Sequence, residues 1–159
     1  MAAFLDANLA VLEELFAGLT ALVAPLDDAA LNWSPIPGDA NSIAAMVTHI
    51  VGSLDNWLAR ATGETISRDR NAEFRARAAA AELLAMLDGS LNVIRRRFAI
   101  LDRVDPAKVR RVVRLSSNEV SDVTIAWCVE HAVVHAGEHW GQVQLTHQLG
   151  ELSRDGQQS

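Results

Sequence analysis

Residues 121–150 read SDVTIAWCVEHAVVHAGEHWGQVQLTHQLG, and three histidines, His131, His135 and His139, recur in them at steps of four. Residues four apart on a helix lie one turn above each other on one face. On a helical wheel Thr124, Cys128, His131, His135, His139, Gln142, Thr146 and Leu149 share a stripe about 80° wide. The flanks and reverse carry Ile125, Trp127, Val129, Val133, Val134, Ala136, Trp140, Val143 and Leu145. A helix apolar around most of its girth is buried on several sides, so the imidazole line faces protein. Ser121 is the expected cap of this helix and Gly150 its expected end.

Upstream, Leu5, Leu9, Leu12, Phe16 and Leu19 recur at steps of four and three, a bundle-type stripe that Pro25 stops. Residues 26–41 contain Trp33-Ser34-Pro35-Ile36-Pro37-Gly38-Asp39 and read as a loop, with Trp33 a plug over one end of the core. Asn41 or Ser42 caps a second helix with Ile43, Met46, Val47, Ile50, Leu54, Trp57 and Leu58 as its stripe, ending near Gly63. His49 lies mid-way along it, at the stripe's edge. A third long helix is expected from residues 69–71, with Leu84, Leu87, Leu91, Ile94, Phe98 and Leu101 inward, until Asp105-Pro106. Residues 104–120 are ambiguous, since VRRVVRL reads as a strand or an extended connection but a lone strand has no partner. Four long amphipathic helices and no convincing sheet predict an all-α four-helix bundle over residues 1–150. The polar tail 151–159 is expected to fray.

The 159 residues suit a single domain, and half of them are apolar. A net charge of −6 repels nucleic acid. The short basic runs Arg95-Arg96-Arg97 and 108–114 read as solvated faces. One cysteine, Cys128, excludes an internal disulfide and fits a reducing compartment. The N-terminus carries Asp6, Glu13 and Glu14 and no cationic leader, and no apolar run reaches the roughly 20 residues that span a bilayer. The expected location is the cytoplasm.

Zinc and similar metals accept imidazole nitrogen, and two histidines at i and i+4 on one helix reach a single ion. His135 and His139 are such a pair, and His49 is the only histidine outside the last helix. Facing helices of a bundle converge on one ion readily. The alternative is a set of core histidines, each satisfied by hydrogen bonds. Cys128 is either a small buried hydrophobe or a further ligand or thiol. His147 projects away from the stripe and reads as a surface residue.

With NSIAAMVTHI followed by HAVVHAGEHWGQV, the chain resembles the DinB/YfiT-like superfamily of helical bundles. Trp33-Ser34-Pro35 through Ser42 and His49 match its first motif, and His135, His139, Gly141 and Gln142 its second. Trp140 departs from the pattern, standing where many members have Arg. The resemblance covers roughly residues 1–150. It implies a four-helix bundle with a non-sequential connection, often dimeric, and a divalent metal (Zn, Ni or Fe) on His49, His135 and His139. His131, with Cys128 and Gln142, would line the approach. Several relatives are thiol transferases using bacillithiol, mycothiol or glutathione.

Two functions follow as expectations. One is a metal-dependent thiol S-transferase acting on a small molecule, with metal-dependent hydrolysis as a variant. The other is a non-enzymatic metal-binding or stress-related interaction bundle, since a fold alone does not choose. The expected assembly is a homodimer, with no nucleic acid and no membrane as partner.

Overall fold

The computed structural model describes residues 2–36, 38, 40–113 and 119–156. The first apolar stripe becomes α1 (Ala2–Val23), with Leu5, Leu12, Phe16 and Leu19 in the core. The following loop contains one helical turn, α2 (Asp28–Leu31), because Asp27 Oδ1 accepts from Ala30 N at 2.8 Å while Leu31 is fully buried. Pro37 and Asp39 of that loop lie outside the described residues. Ser42 caps α3 (Ile43–Thr62), its Oγ accepting from Ala45 N at 3.2 Å, and Gly63 closes it at φ 90°. That φ lies where glycine is favoured.

The long third helix expected from residues 69–71 is in fact two. Asp69 caps a single turn, α4 (Arg70–Glu73), and α5 (Ala80–Leu101) begins afresh. The break has a visible cause. Asn32 donates to Ala78 O at 3.0 Å and accepts from Ala78 N at 3.1 Å, taking both backbone groups that a continuous helix would use. Glu82 Oε2 then accepts from Ala79 N and starts α5. Leu83, Leu87, Ile94, Phe98 and Leu101 face inward.

Arg97 does not lie on a solvated face, contrary to the reading of its basic run. It is 7% exposed and ties α5 to α3, bonding Asp55 and, at 3.0 Å, Glu64 Oε2. Its neighbour Arg95 pairs with Glu13 of α1 at 2.8 Å. The Arg97 hydrogen bond holds the Glu64 carboxyl below its ordinary range.

The ambiguous connection is a hairpin, in which β1 (Val109–Val113) pairs antiparallel with β2 (Val120–Thr124) and Val112 opposes Ser121. The strand finds its partner in residues read as the start of the last helix. Ser121 therefore caps nothing. Thr124 caps α6 (Ile125–Asp155), with Oγ1 accepting from Trp127 N at 3.1 Å. Arg114, from the second basic run, lies outside the described residues.

Gly150 does not end α6, which continues to Asp155. It is buried beneath Trp33, whose ring would stand 3.4 Å from a Cβ at that position. Trp33 covers that end of the core as expected. Tail residues 157–159 are outside the described set.

The four long helices form the bundle. α3 packs against α5 and α6, and α1 against the same two. So α1 lies diagonally from α3, and α5 from α6, as the loop around α2 and the β-hairpin cross the bundle. Helices consecutive in sequence are thus not always neighbours, and α3 and α6 share the most extensive seam. Among the described residues no helix is long and apolar enough to cross a membrane.

Candidate metal centre

The α3–α6 seam holds the histidines. His49, at 1% exposure, stands mid-way along α3 among the buried Met46, Ile50 and Ser53. α6 is oriented by Ala132, Ala136 and Val143, all buried, so that His135 and His139 face α3. Ring centroids lie 5.1 Å apart for His49–His135, 4.7 Å for His49–His139 and 4.4 Å for His135–His139. One nitrogen from each ring lies within 4.8 Å of the other two. The three residues singled out in the sequence are therefore brought together.

Their protonation suits a cation. Burial pushes His135 down to about 3, helped by nearby His139, His49, His131 and Arg68. Burial also lowers His139, against an opposing hydrogen bond that it donates to Gln142 Oε1. Both are neutral at pH 7, the state that ligates metal.

The unused nitrogens test the fit. His49 Nε2 and His135 Nδ1 are buried and have no hydrogen-bond partner among the described residues. Buried polar atoms almost always have one, and a divalent ion between the rings would satisfy both. His139 Nδ1 lies 2.8 Å from Gln142 Oε1, so with the amide oxygen accepting, its Nε2 is left as the donor to a metal. His49 Nδ1 is likewise engaged, 2.8 Å from Glu73 Oε2. Imidazoles that ligate metal typically present their second nitrogen to such acceptors.

The other candidates take different places. His131 stacks on Trp127 at 4.7 Å and meets Trp57 edge-on at 4.5 Å. It is one turn from the triad, 5.9 Å from the His135 ring. Cys128 is fully buried, and burial pushes its thiol up to about 11. Gln142 orients His139. His147, apart from the triad, lies 3.8 Å from Glu151. Trp140 points to α1, where it packs on Gly18.

The sequence reading missed Glu73, Arg68 and Phe74. The Phe74 ring stacks on His49 at 4.2 Å, and Arg70 sits over Phe74 at 4.8 Å. Burial pushes the Glu73 carboxyl up, but hydrogen bonds from His49 and Arg68 outweigh it and hold the group below its ordinary range. One signal was available, a glycine at position 52 inside the α3 pattern.

Solved structures share this architecture. A conserved protein from Enterococcus faecalis is 18% identical, with a TM-score of 0.66 over 91% of this chain and 95% of that one. YfiT from Bacillus subtilis, described as a probable metal-dependent hydrolase with an unusual four-helix bundle topology, is 20% identical; its TM-score is 0.65, covering 91% of this chain and 86% of its own. A DinB-like protein from Bacillus cereus ATCC 10987 is 15% identical, at a TM-score of 0.63 over 90% of each chain. No curated protein matches the sequence. Residues 11–143 match the family model of the DinB superfamily, and with its diagonal bundle and converging histidines the chain belongs to that superfamily.

Proposed function

We propose that the protein binds a divalent metal through His49, His135 and His139 and is a metal-dependent thiol S-transferase. The observation that carries the metal reading is the pair of buried nitrogens, His49 Nε2 and His135 Nδ1, that have no hydrogen-bond partner among the described residues, on two rings that converge with His139 at the α3–α6 seam. A borderline metal such as Zn, Ni or Fe supplies Lewis acidity there, making a small thiol or a water far more acidic than in solution. Three protein ligands leave room for such a molecule. Gln142 and Glu73 orient His139 and His49. Phe74 covers one face of the His49 ring and keeps water from it.

The choice of a thiol rests on the carboxylates. Glu73 is engaged by both His49 and Arg68 and is not available as a base. A thiol made acidic needs no separate base, whereas hydrolysis gains from one. Hydrolysis is the second reading, favoured by one residue. Glu138 is close enough to His139 to oppose, in part, the lowering of its pKa by burial.

Metal content by mass spectrometry, on untagged protein purified without chelator, tests the first half. Near-stoichiometric metal that is lost in His49→Ala and in His139→Ala supports it, and metal-free wild type after reconstitution refutes it. Metal-loaded protein is then assayed with glutathione, bacillithiol and mycothiol against a panel of electrophiles, beside a panel of esters. Thiol-dependent product supports transfer. Thiol-independent ester cleavage, lost in Glu138→Gln, supports hydrolysis instead.

We also propose a second copy of the chain as partner. The outer face of α6 exposes Val134, Leu145, Leu149 and Leu152 at related helical positions, an apolar stripe that a self-complementary pairing would cover. Sedimentation of a dimer that Leu145→Glu dissociates supports it; a monomeric wild type refutes it.

A further inference from the structure

We propose that Glu73 is a positioning residue for His49, held by Arg68 and seated against Gly52, so that Nδ1 carries the imidazole proton and Nε2 is left to take a metal. The inference rests on the metal-binding reading above and deepens it.

The carboxylate comes from α4, outside the bundle, 24 residues along the chain from His49. Both of its oxygens are committed. Oε2 lies 2.8 Å from His49 Nδ1 and accepts from Arg68 Nη2 at 2.7 Å, while Oε1 accepts from Arg68 Nε at 2.6 Å. The Glu73 residue is 8% exposed, and the guanidinium that neutralises it is equally covered. An ionised carboxylate only accepts, so Nδ1 must donate, and a neutral imidazole has a single N–H. The opposite tautomer would set an Nδ1 lone pair against a carboxylate oxygen at 2.8 Å. Arg68 Nη2 also approaches Nδ1 to 3.3 Å. With Nδ1 protonated this is donor against donor, tolerable because both share the Oε2 acceptor.

Gly52 supplies the room. A Cβ there would stand 2.2 Å from Glu73 Oε1 and 2.8 Å from its Cδ, so the carboxylate would have to leave the position in which it meets His49. Gly52 lies three residues beyond His49, on the same side of α3. The carboxylate thus rests in a notch of the helix whose histidine it orients. Phe74, next in the chain, stacks on that imidazole with planes 30° apart. One short segment fixes both the ring's plane and its proton.

The first test needs neither a variant nor a metal. Long-range nitrogen–proton correlation spectra of metal-free wild type at mildly alkaline pH should show His49 as the Nδ1–H tautomer. The Nε2–H tautomer overturns the proposal. The second test is competition for zinc and nickel with a chromophoric chelator. Glu73→Ala should weaken metal binding about 10- to 100-fold and abolish the tautomer preference. Glu73→Gln, whose amide oxygen still accepts from Nδ1–H, should restore the tautomer and much of the affinity. Wild-type affinity in Glu73→Ala, or no recovery in Glu73→Gln, overturns the proposal. Should Glu73→Ala not fold, the wild-type spectrum and Glu73→Gln decide. A wild type that binds no metal refutes the function proposed above, while the tautomer still decides the role of Glu73.

Discussion

Gly52 occupies the interior of a 20-residue helix, where alanine is ordinarily favoured by about 1 kcal/mol. Here the sign should reverse. A Cβ at 2.2 Å from Glu73 Oε1 must expel the carboxylate or bend α3, and overpacking of this kind costs about 1–3 kcal/mol. Urea denaturation of Gly52→Ala should show a loss of that order, and a gain in stability would remove the notch from the account. Cys128 gives a second expectation. With its thiol raised to about 11 by burial, a thiol-reactive chromogenic disulfide should label native protein at neutral pH only on the timescale of unfolding, because the thiolate is the reactive form. Rapid labelling would place the thiol in contact with solvent. At this scale the histidines were legible because a four-residue step survives in sequence. Glu73 was not, since no spacing links it to His49, and only an otherwise unfavourable glycine hinted that something enters the helix there.

Elements were legible where one apolar stripe acts alone. α1 and α3 follow their leucine and valine repeats to within a residue or so, and the caps Ser42 and Gly63 stand where side-chain chemistry put them. Boundaries failed where tertiary contacts compete. Asn32 captures the Ala78 backbone and divides the third helix, a contact across 46 residues that no local pattern records. Ser121 and Thr124 are both good capping residues, and pairing with β1 decides between them. This distinction is measurable. Thr124→Ala removes the acceptor for Trp127 N and should cost about 1 kcal/mol. Ser121→Ala removes a buried hydroxyl that has no hydrogen-bond partner among the described residues and should be neutral or slightly stabilising. Equal losses, or a larger loss at Ser121, would return the helix start to residue 121.

At the scale of the whole molecule, four apolar stripes announce a bundle but not the order of its helices. Stripes say that faces are buried, not against which neighbour. The crossing by the α2 loop and the hairpin makes α3 and α6 adjacent, and so places His49 opposite His135 and His139. His49 is 86 or more residues from the other two in sequence but shares one seam with them, so an ion bound there ties two helices together in the folded state and finds no preformed site in the unfolded chain. Binding to the native state alone stabilises by RT ln(1 + [L]/Kd), about 4 kcal/mol at a thousandfold excess over Kd. For a domain of this length each kcal/mol raises Tm by roughly 2–4 °C. Zinc or nickel added to chelator-treated wild type should therefore raise Tm by about 8–16 °C, and chelator should reverse it. His139→Ala, which removes one ligand from α6, should keep its metal-free Tm near the wild-type value because its side chain is only partly buried, yet lose most of the metal-induced rise. An equal rise in that variant would mean that metal binds elsewhere on the chain, and the seam would then be held by packing alone.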